Sequence, residues 1–242
     1  LDKLKELGIE DNTIIMYSTD NGAETCTWPD GGTTMFRGEK NTQWEGGFRV
    51  PALITWPGTI KPGTVVNDIC AHEDMLASLV SAAGNKTAKE DLLNGCEING
   101  TKYKVHLDGY DLGPALRGEE SSWPRKEFIY WTDDGSVAAL RYGNWKATFL
   151  EQPAEGFKVW IEPFTELRCP KITNLLMDPF ERAEHEGAMG YTQWLIEHMF
   201  MIAPAGAYVG KWLQSFKEFP PRQKPGSFNL DRVMEAVMSS KG

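Results

Sequence analysis

Hydrophobic and polar positions follow two rhythms along this chain. Leu1, Leu4 and Leu7, with Lys3, Lys5 and Glu6 between them, predict a helix end over residues 1–8, stopped by Gly8. Residues 13–18 then change period. In an extended segment, Ile14 and Met16 face one side and Ile15 and Tyr17 the other. Both sides are apolar, which predicts a central strand covered on both faces. A helix, a short loop and a buried strand make an α/β pattern.

Residues 23–48 are rich in Gly, Thr and polar side chains and read as one long loop. Loops of that length in compact domains are usually functional. Residues 50–56 read as a second strand, ended by Pro57-Gly58. Residues 72–83 read as a helix with Met75, Leu76, Leu79 and Val80 on one side. The polar stretch 84–105 reads as a boundary. Beyond it, 127–132, 137–142, 145–149 and 158–161 read as short strands. Turns at Asp133-Asp134-Gly135 and Tyr142-Gly143-Asn144 suggest an antiparallel meander. Asp178-Pro179 opens a further turn. Leu195, Met199, Ile202, Gly206, Val209, Leu213 and Phe216 then step by four and three, which predicts one long helix with a core-facing stripe.

Composition adds bounds. At 242 residues, 41% hydrophobic and 24% charged, the chain can bury a sizeable core. Its formal charge is −9 with scattered basic residues, which argues against a nucleic-acid partner. No run reaches transmembrane length. Cys26, Cys70, Cys96 and Cys169 form no C-x-x-C pair, so neither a zinc site nor a thioredoxin-like motif is expected. There is no initiator Met, no basic leader and no apolar signal core. The opening inside a helical pattern suggests the middle of a longer protein.

The candidate chemistry starts at Asp20-Asn21-Gly22, after the first strand. Asn-Gly is a strong turn signal, because both residues tolerate positive φ. The other reading uses the carboxylate and amide oxygens as hard ligands for Ca²⁺ or Mg²⁺ at the carboxyl edge of a sheet. The next segment holds Arg37, Lys40, Arg49 and the pair Gly46-Gly47. A lysine ammonium on a flexible stem suits a tetrahedral oxyanion, and paired glycines allow close backbone approach. A solvated loop with an idle lysine is the alternative.

Taken together, Asp20-Asn21-Gly22, Arg37-Gly38-Glu39-Lys40, 45–51 (EGGFRVP) and Trp56-Pro57-Gly58 resemble the arylsulfatases. These are type I sulfatases of the alkaline-phosphatase-like superfamily. His72-Glu73-Asp74-Met75-Leu76, 107–112 (LDGYDL), Leu116-Arg117-Gly118, 141–146 (RYGNWK) and 174–179 (NLLMDP) extend the resemblance to nearly the whole chain. It covers only the C-terminal portion of such an enzyme. The resemblance implies that Asp20 and Asn21 are metal ligands and that Lys40 contacts the substrate's sulfate as a catalytic residue. Glu45 and Arg49 read as a structural pair, and His72 as a helix-start residue.

Sulfatases carry a formylglycine made within C/S-x-P-x-R. None of the four cysteines fits that pattern. Ser122-Trp123-Pro124-Arg125-Lys126 comes close but ends in Lys and follows the metal motif, so it reads as a surface loop. The formylglycine is therefore expected in a missing N-terminal part, and this chain alone is expected to be inactive, with apolar surface exposed where that part docks.

The implied fold class is α/β. It is the end of a large mixed sheet sandwiched by helices, followed by a small C-terminal antiparallel sheet packed with a long helix. Residues 1–90 would complete the catalytic domain, and 91–242 would form the C-terminal subdomain. The implied function is metal-assisted hydrolysis of a sulfate monoester, with Ca²⁺ or Mg²⁺ as cofactor. The substrate would be a small sulfate ester or a sulfated glycan. The alternatives are a phosphonate or phosphate-ester hydrolase of the same superfamily, and a non-catalytic domain that binds sulfated ligands or a partner. The resemblance points to the periplasm or secretion.

Overall fold

The computed structural model describes residues 1–119 and 123–222. They divide into two compact units. The first comprises residues 1–20 and 50–128, the second residues 21–49 and 129 onward.

In the first unit, α1 (Asp2–Glu6) leads to β1 (Ile15–Ser18), which pairs antiparallel with β2 (Ala52–Thr55). Residues 45–48 between them form the one-turn α2 (Glu45–Phe48), which belongs to the second unit. The predicted strands are thus present, but β1 differs from a covered central strand. Met16 is 42% and Tyr17 61% exposed, because among the described residues β1 pairs with β2 alone in a two-stranded ribbon. The predicted helix over 72–83 is α3 (Asp74–Ala82).

The polar stretch 84–105, read as a boundary, has secondary structure of its own. It contains α4 (Ala88–Asn94) and a hairpin of β3 (Cys96–Ile98) with β4 (Thr101–Tyr103). The overlooked signal is Asn99-Gly100. Both residues take positive φ, at +50° and +78°, which closes a two-residue turn between paired Ile98 and Thr101. The short α5 (Gly113–Leu116) follows.

The second unit is organised by a four-stranded sheet in the order β5 (Glu127–Trp131, of which 129–131 belong to this unit), β6 (Val137–Tyr142), β7 (Trp145–Glu151), β8 (Thr165–Asn174). Three of the predicted strands are these. The fourth prediction, 158–161, fails: Gly156–Trp160 is a 3-10 turn, and the fourth strand lies at 165–174. Gly156 enters that turn at φ +58°, and Val159 is buried with its carbonyl oxygen accepting from Asn41 and Gln152 side chains. Side-chain donors take the carbonyl that a strand would offer to a neighbour.

The expected long C-terminal helix is divided. The chain runs through α6 (Ala183–Glu186), α7 (Ala188–His198), a 3-10 turn Met199–Met201, α8 (Ile202–Leu213) and α9 (Ser215–Glu218). Pro204 is the reason. Its ring would clash with the carbonyl four residues back in a continuous helix, but it is tolerated in the first turn of a new one. The stripe still works where α8 meets the sheet. Val209 packs with Ile129 and Leu140, supported by Trp131, Phe149, Tyr208 and Trp212.

Candidate functional site

Asp20 and Asn21 lie just past β1. Asp20 is exposed and Asn21 half-buried. The turn reading of Asn21-Gly22 fails: neither residue takes positive φ, and the partner of β1 lies beyond the long loop. Gly22 is required for a different reason. A Cβ there would fall 1.8 Å from the carbonyl oxygen of Gly46.

That close approach belongs to a clamp within the second unit. Gly22 N–H donates to Gly47 O at 2.9 Å, Gly46 N–H to Arg37 O at 2.7 Å, and Lys40 N–H to Ala23 O at 3.3 Å. Cβ atoms on Gly46 and Gly47 would lie 2.3 Å and 2.5 Å from the carbonyl oxygens of Gly38 and Glu39. The backbone N–H and the hydroxyl of Thr25 both donate to Glu39 Oε2, at 2.9 Å and 2.7 Å. The segment that begins at Asn21 is therefore fastened alongside the segment that carries Lys40. The half-buried Lys40 places its ammonium 5.4 Å from the centre of the Trp160 ring. Nearby, Glu24 accepts from Thr27 Oγ1 at 2.8 Å and Trp160 Nε1 at 2.5 Å. Those two hydrogen bonds hold its carboxyl below the usual range, with a smaller contribution from the charge of Lys40.

Beneath the clamp lies a buried charge network. Glu45 and Lys146 are 1% and 0% exposed, and Tyr130 and Glu181 are buried beside them. Lys146 Nζ donates to Gln43 O at 2.7 Å and pairs with Glu45 Oε1 at 3.2 Å and Glu181 Oε1 at 2.8 Å. Tyr130 O–H donates to Glu45 Oε1 at 2.5 Å, and Glu45 N–H to Glu181 Oε2 at 2.7 Å. Arg49 Nε donates to Glu45 Oε2 at 2.7 Å, so the expected Glu45–Arg49 pair is present. Burial pushes the Glu45 carboxyl up, but Lys146, Tyr130, Arg49 and Arg141 outweigh it and hold it at about 2. Glu181 goes the other way, raised by burial and then by the neighbouring Glu45 charge against the pull of Lys146.

The first unit has its own buried pair. Arg125 clasps Asp74, with Nε to Oδ2 at 2.8 Å and Nη2 to Oδ1 at 2.6 Å. Backbone N–H groups of Ala71 and Tyr110 donate to the same carboxylate at 2.9 Å and 2.8 Å. A Cβ on Gly109 would lie 2.0 Å from Glu73 O. The 107–112 stretch is thereby docked on the start of α3. The surface-loop reading of residues 122–126 is corrected by Arg125, which is buried at 3% exposure and held by Asp74. Ser122 lies outside the described residues. His72 stands just before α3, as expected, with Nε2 3.2 Å from Ser18 Oγ.

The cysteines are free thiols. Desolvation pushes the Cys70 thiol up to about 11, reinforced by Asp74 and Asp68. Sequence reasoning missed Asp74, Arg125, Tyr130, Lys146 and Glu181 as members of networks. Their signal was indirect: Asp74 and Lys146 fall inside the quoted family-like blocks. Among the described residues no helix is long and apolar enough to cross a membrane.

Comparison with known proteins gives this geometry a family. A family model described as Sulfatase matches residues 1–85. An arylsulfatase of Hemicentrotus pulcherrimus is 34% identical over 153 residues, which are 63% of this chain and 25% of that protein. Bovine arylsulfatase A is 34% identical over 217 residues, 88% of this chain and 39% of its own length. The chain therefore spans a quarter to about two fifths of these relatives. Among solved structures, the sulfatase PsFucS1 from Pseudoalteromonas sp. aligns with a TM-score of 0.68 and 26% identity, covering 91% of this chain and 40% of that one. Sulfatases work with a formylglycine and a divalent metal. The hard oxygens of Asp20 and Asn21 fit such a cation. Among the described residues, however, no group of three or more His, Cys, Asp or Glu side chains gathers into a metal site. By sequence over residues 1–85 and by fold over most of its length, the chain belongs to the sulfatases, as an arylsulfatase-like, type I member of which it spans a part.

Proposed function

We propose that the protein to which this chain belongs hydrolyses a sulfate monoester to an alcohol or phenol and sulfate, and that Asp20, Asn21 and Lys40 serve that reaction. The observation that carries the reading is the glycine clamp. It fastens the Asn21 segment beside the Lys40 segment, within the region that matches the sulfatase family. Asp20 and Asn21 would hold the divalent cation, with Ca²⁺ as the proposed ion and Mg²⁺ the alternative. When bound, the cation supplies Lewis-acid polarisation of the sulfuryl oxygens. Lys40 binds the sulfate group and stabilises negative charge that builds up as the ester bond breaks. In this reading residues 1–90 complete the catalytic domain and 91–242 form its C-terminal subdomain. The partners are a sulfate ester, small or glycan-borne, and the remaining part of the sulfatase fold.

The test uses the complete protein with 4-nitrophenyl sulfate and 4-nitrophenyl phosphate side by side. The sulfate is expected to turn over faster, and Lys40→Met to lower kcat/KM by about a hundredfold or more, as for loss of one preorganised charge stabiliser. Metal chelation followed by Ca²⁺ or Mg²⁺ addition identifies the ion by recovery of rate. Faster phosphate turnover would transfer the assignment to a phosphate-ester hydrolase. No turnover of either ester, with retained sulfate binding, would make this a binding protein.

A further inference from the structure

The Gly156–Trp160 turn contacts three consecutive residues of the clamped loop. Gly156 N–H donates to Glu39 Oε1 at 2.7 Å, Asn41 Nδ2 donates to Val159 O at 2.6 Å, and between them Lys40 faces the Trp160 ring at 5.4 Å. The turn is itself fixed. Val159 is 1% exposed, and Gln152 Nε2 also donates to its carbonyl oxygen, at 3.2 Å. At the 40% exposed Trp160, the indole Nε1–H donates to Glu24, which also accepts from Thr27.

We infer that Trp160, tethered by Glu24, is a positioning residue for Lys40. The inference rests on the sulfate reading of Lys40 and adds to it how that ammonium is aimed. A lysine head sits on a flexible four-carbon stem with many rotamers. A charge that must meet an oxyanion at one place gains from being held there beforehand. An aromatic face within about 6 Å of a cation does this without taking a hydrogen-bond donor from it. A carboxylate in direct contact would instead neutralise the ammonium and compete with the anion. Here the carboxylate of Glu24 engages the indole edge and leaves the ring face to Lys40.

The test separates positioning from folding in the complete protein. Lysines are reductively methylated with ¹³C, and the Lys40 signal is identified by its loss in Lys40→Arg. Trp160→Leu is expected to move that signal, by removing the ring current, and to lower kcat/KM for 4-nitrophenyl sulfate about threefold, the fold-change of an exposed cation–aromatic contact. Trp160→Phe keeps a ring and is expected to retain most of both. Glu24→Ala leaves the ring present but untethered, and is expected to give an intermediate shift and a smaller loss. A Lys40 signal that does not move in Trp160→Leu overturns the inference, as does an unchanged kcat/KM when the signal moves. Should Trp160→Leu not fold, the same criteria apply to Glu24→Ala. Wild-type turnover in Lys40→Met would defeat the sulfate role of Lys40, while the contact itself is judged by the ¹³C signal alone.

Discussion

Asn99-Gly100 joins β3 to β4 with both residues at positive φ, and a Cβ on Gly100 would meet nothing within 4 Å. Asn21-Gly22 has the same two letters, yet neither residue takes positive φ, and a Cβ on Gly22 would meet the Gly46 carbonyl oxygen at 1.8 Å. The first pair uses glycine for its backbone freedom, and the second uses it for the space that a side chain would fill. The first closes a local turn whose partners are three residues apart. The second holds together two segments separated by more than twenty positions, above a buried network that reaches Glu181. A dipeptide signal therefore reports a tolerance, and the surrounding contacts decide which tolerance is used.

This comparison can be broken or refined by five measurements, from the largest effect to the smallest. Gly22→Ala should destabilise by on the order of 3 kcal/mol or more, since the obstructing atom is backbone and its displacement also strains the Gly22–Gly47 and Gly46–Arg37 hydrogen bonds. Denaturant unfolding measures it, and a cost below about 1 kcal/mol would mean that the clamp yields easily.

Acid should act next, and through the network below the clamp. Glu45 titrates at about 2 in the folded protein against an ordinary 4.5. Its contribution is complete above the ordinary value and is lost as pH falls through about 2, on the order of 3 kcal/mol in all. Glu181 is raised, so its own contribution has the opposite sign: present at low pH and lost as pH rises through its folded value. Unfolding free energy measured from pH 6 to pH 2 should therefore fall towards acid by less than Glu45 alone implies. Glu45→Gln should flatten that acid limb while lowering stability at neutral pH, because Lys146 loses a buried counter-charge.

The hairpin substitutions should be milder. Gly100→Ala is expected to cost about 1 kcal/mol, the penalty of positive φ without any clash. Asn99→Ala, at φ +50°, should cost about 1 kcal/mol or less and leave Lys40 chemistry untouched. If Gly100→Ala proved as damaging as Gly22→Ala, the distinction between the two pairs would collapse.

Much of the architecture was legible in the periodicity. The apolar run at 13–18, the strand stretches at 137–142 and 145–149 with the turn between them, and the helical spacing of Met75, Leu76, Leu79 and Val80 are short-range patterns, and the elements formed where they stand. The failures have physical causes. Burial of β1 depends on neighbours beyond its own residues. The stripe from Leu195 to Phe216 continues in side-chain spacing, while Pro204 interrupts the backbone beneath it. Val159 and Trp160 look like strand residues, but Gly156, Asn41 and Gln152 bend them into a turn. Of the candidate site, Asp20, Asn21 and Lys40 could be named because the arylsulfatase-like blocks mark them. Lys146 could not be read as buried, because a charged residue in a strand gives no sign of which partners wait for it. Glu45 and Glu181, which enclose it, are 101 positions before it and well after it in the chain.

That last separation has a consequence in time. Glu45 N–H is satisfied by Glu181, 136 positions later. A ribosome adds roughly 5–20 residues each second. The loop that carries Lys40 therefore leaves the ribosome on the order of ten seconds before the carboxylate that completes its footing exists. Throughout that interval the glycines of the clamp can close on one another, but the charges below them wait in water. The loop of the candidate site is made well before the carboxylate that completes its footing.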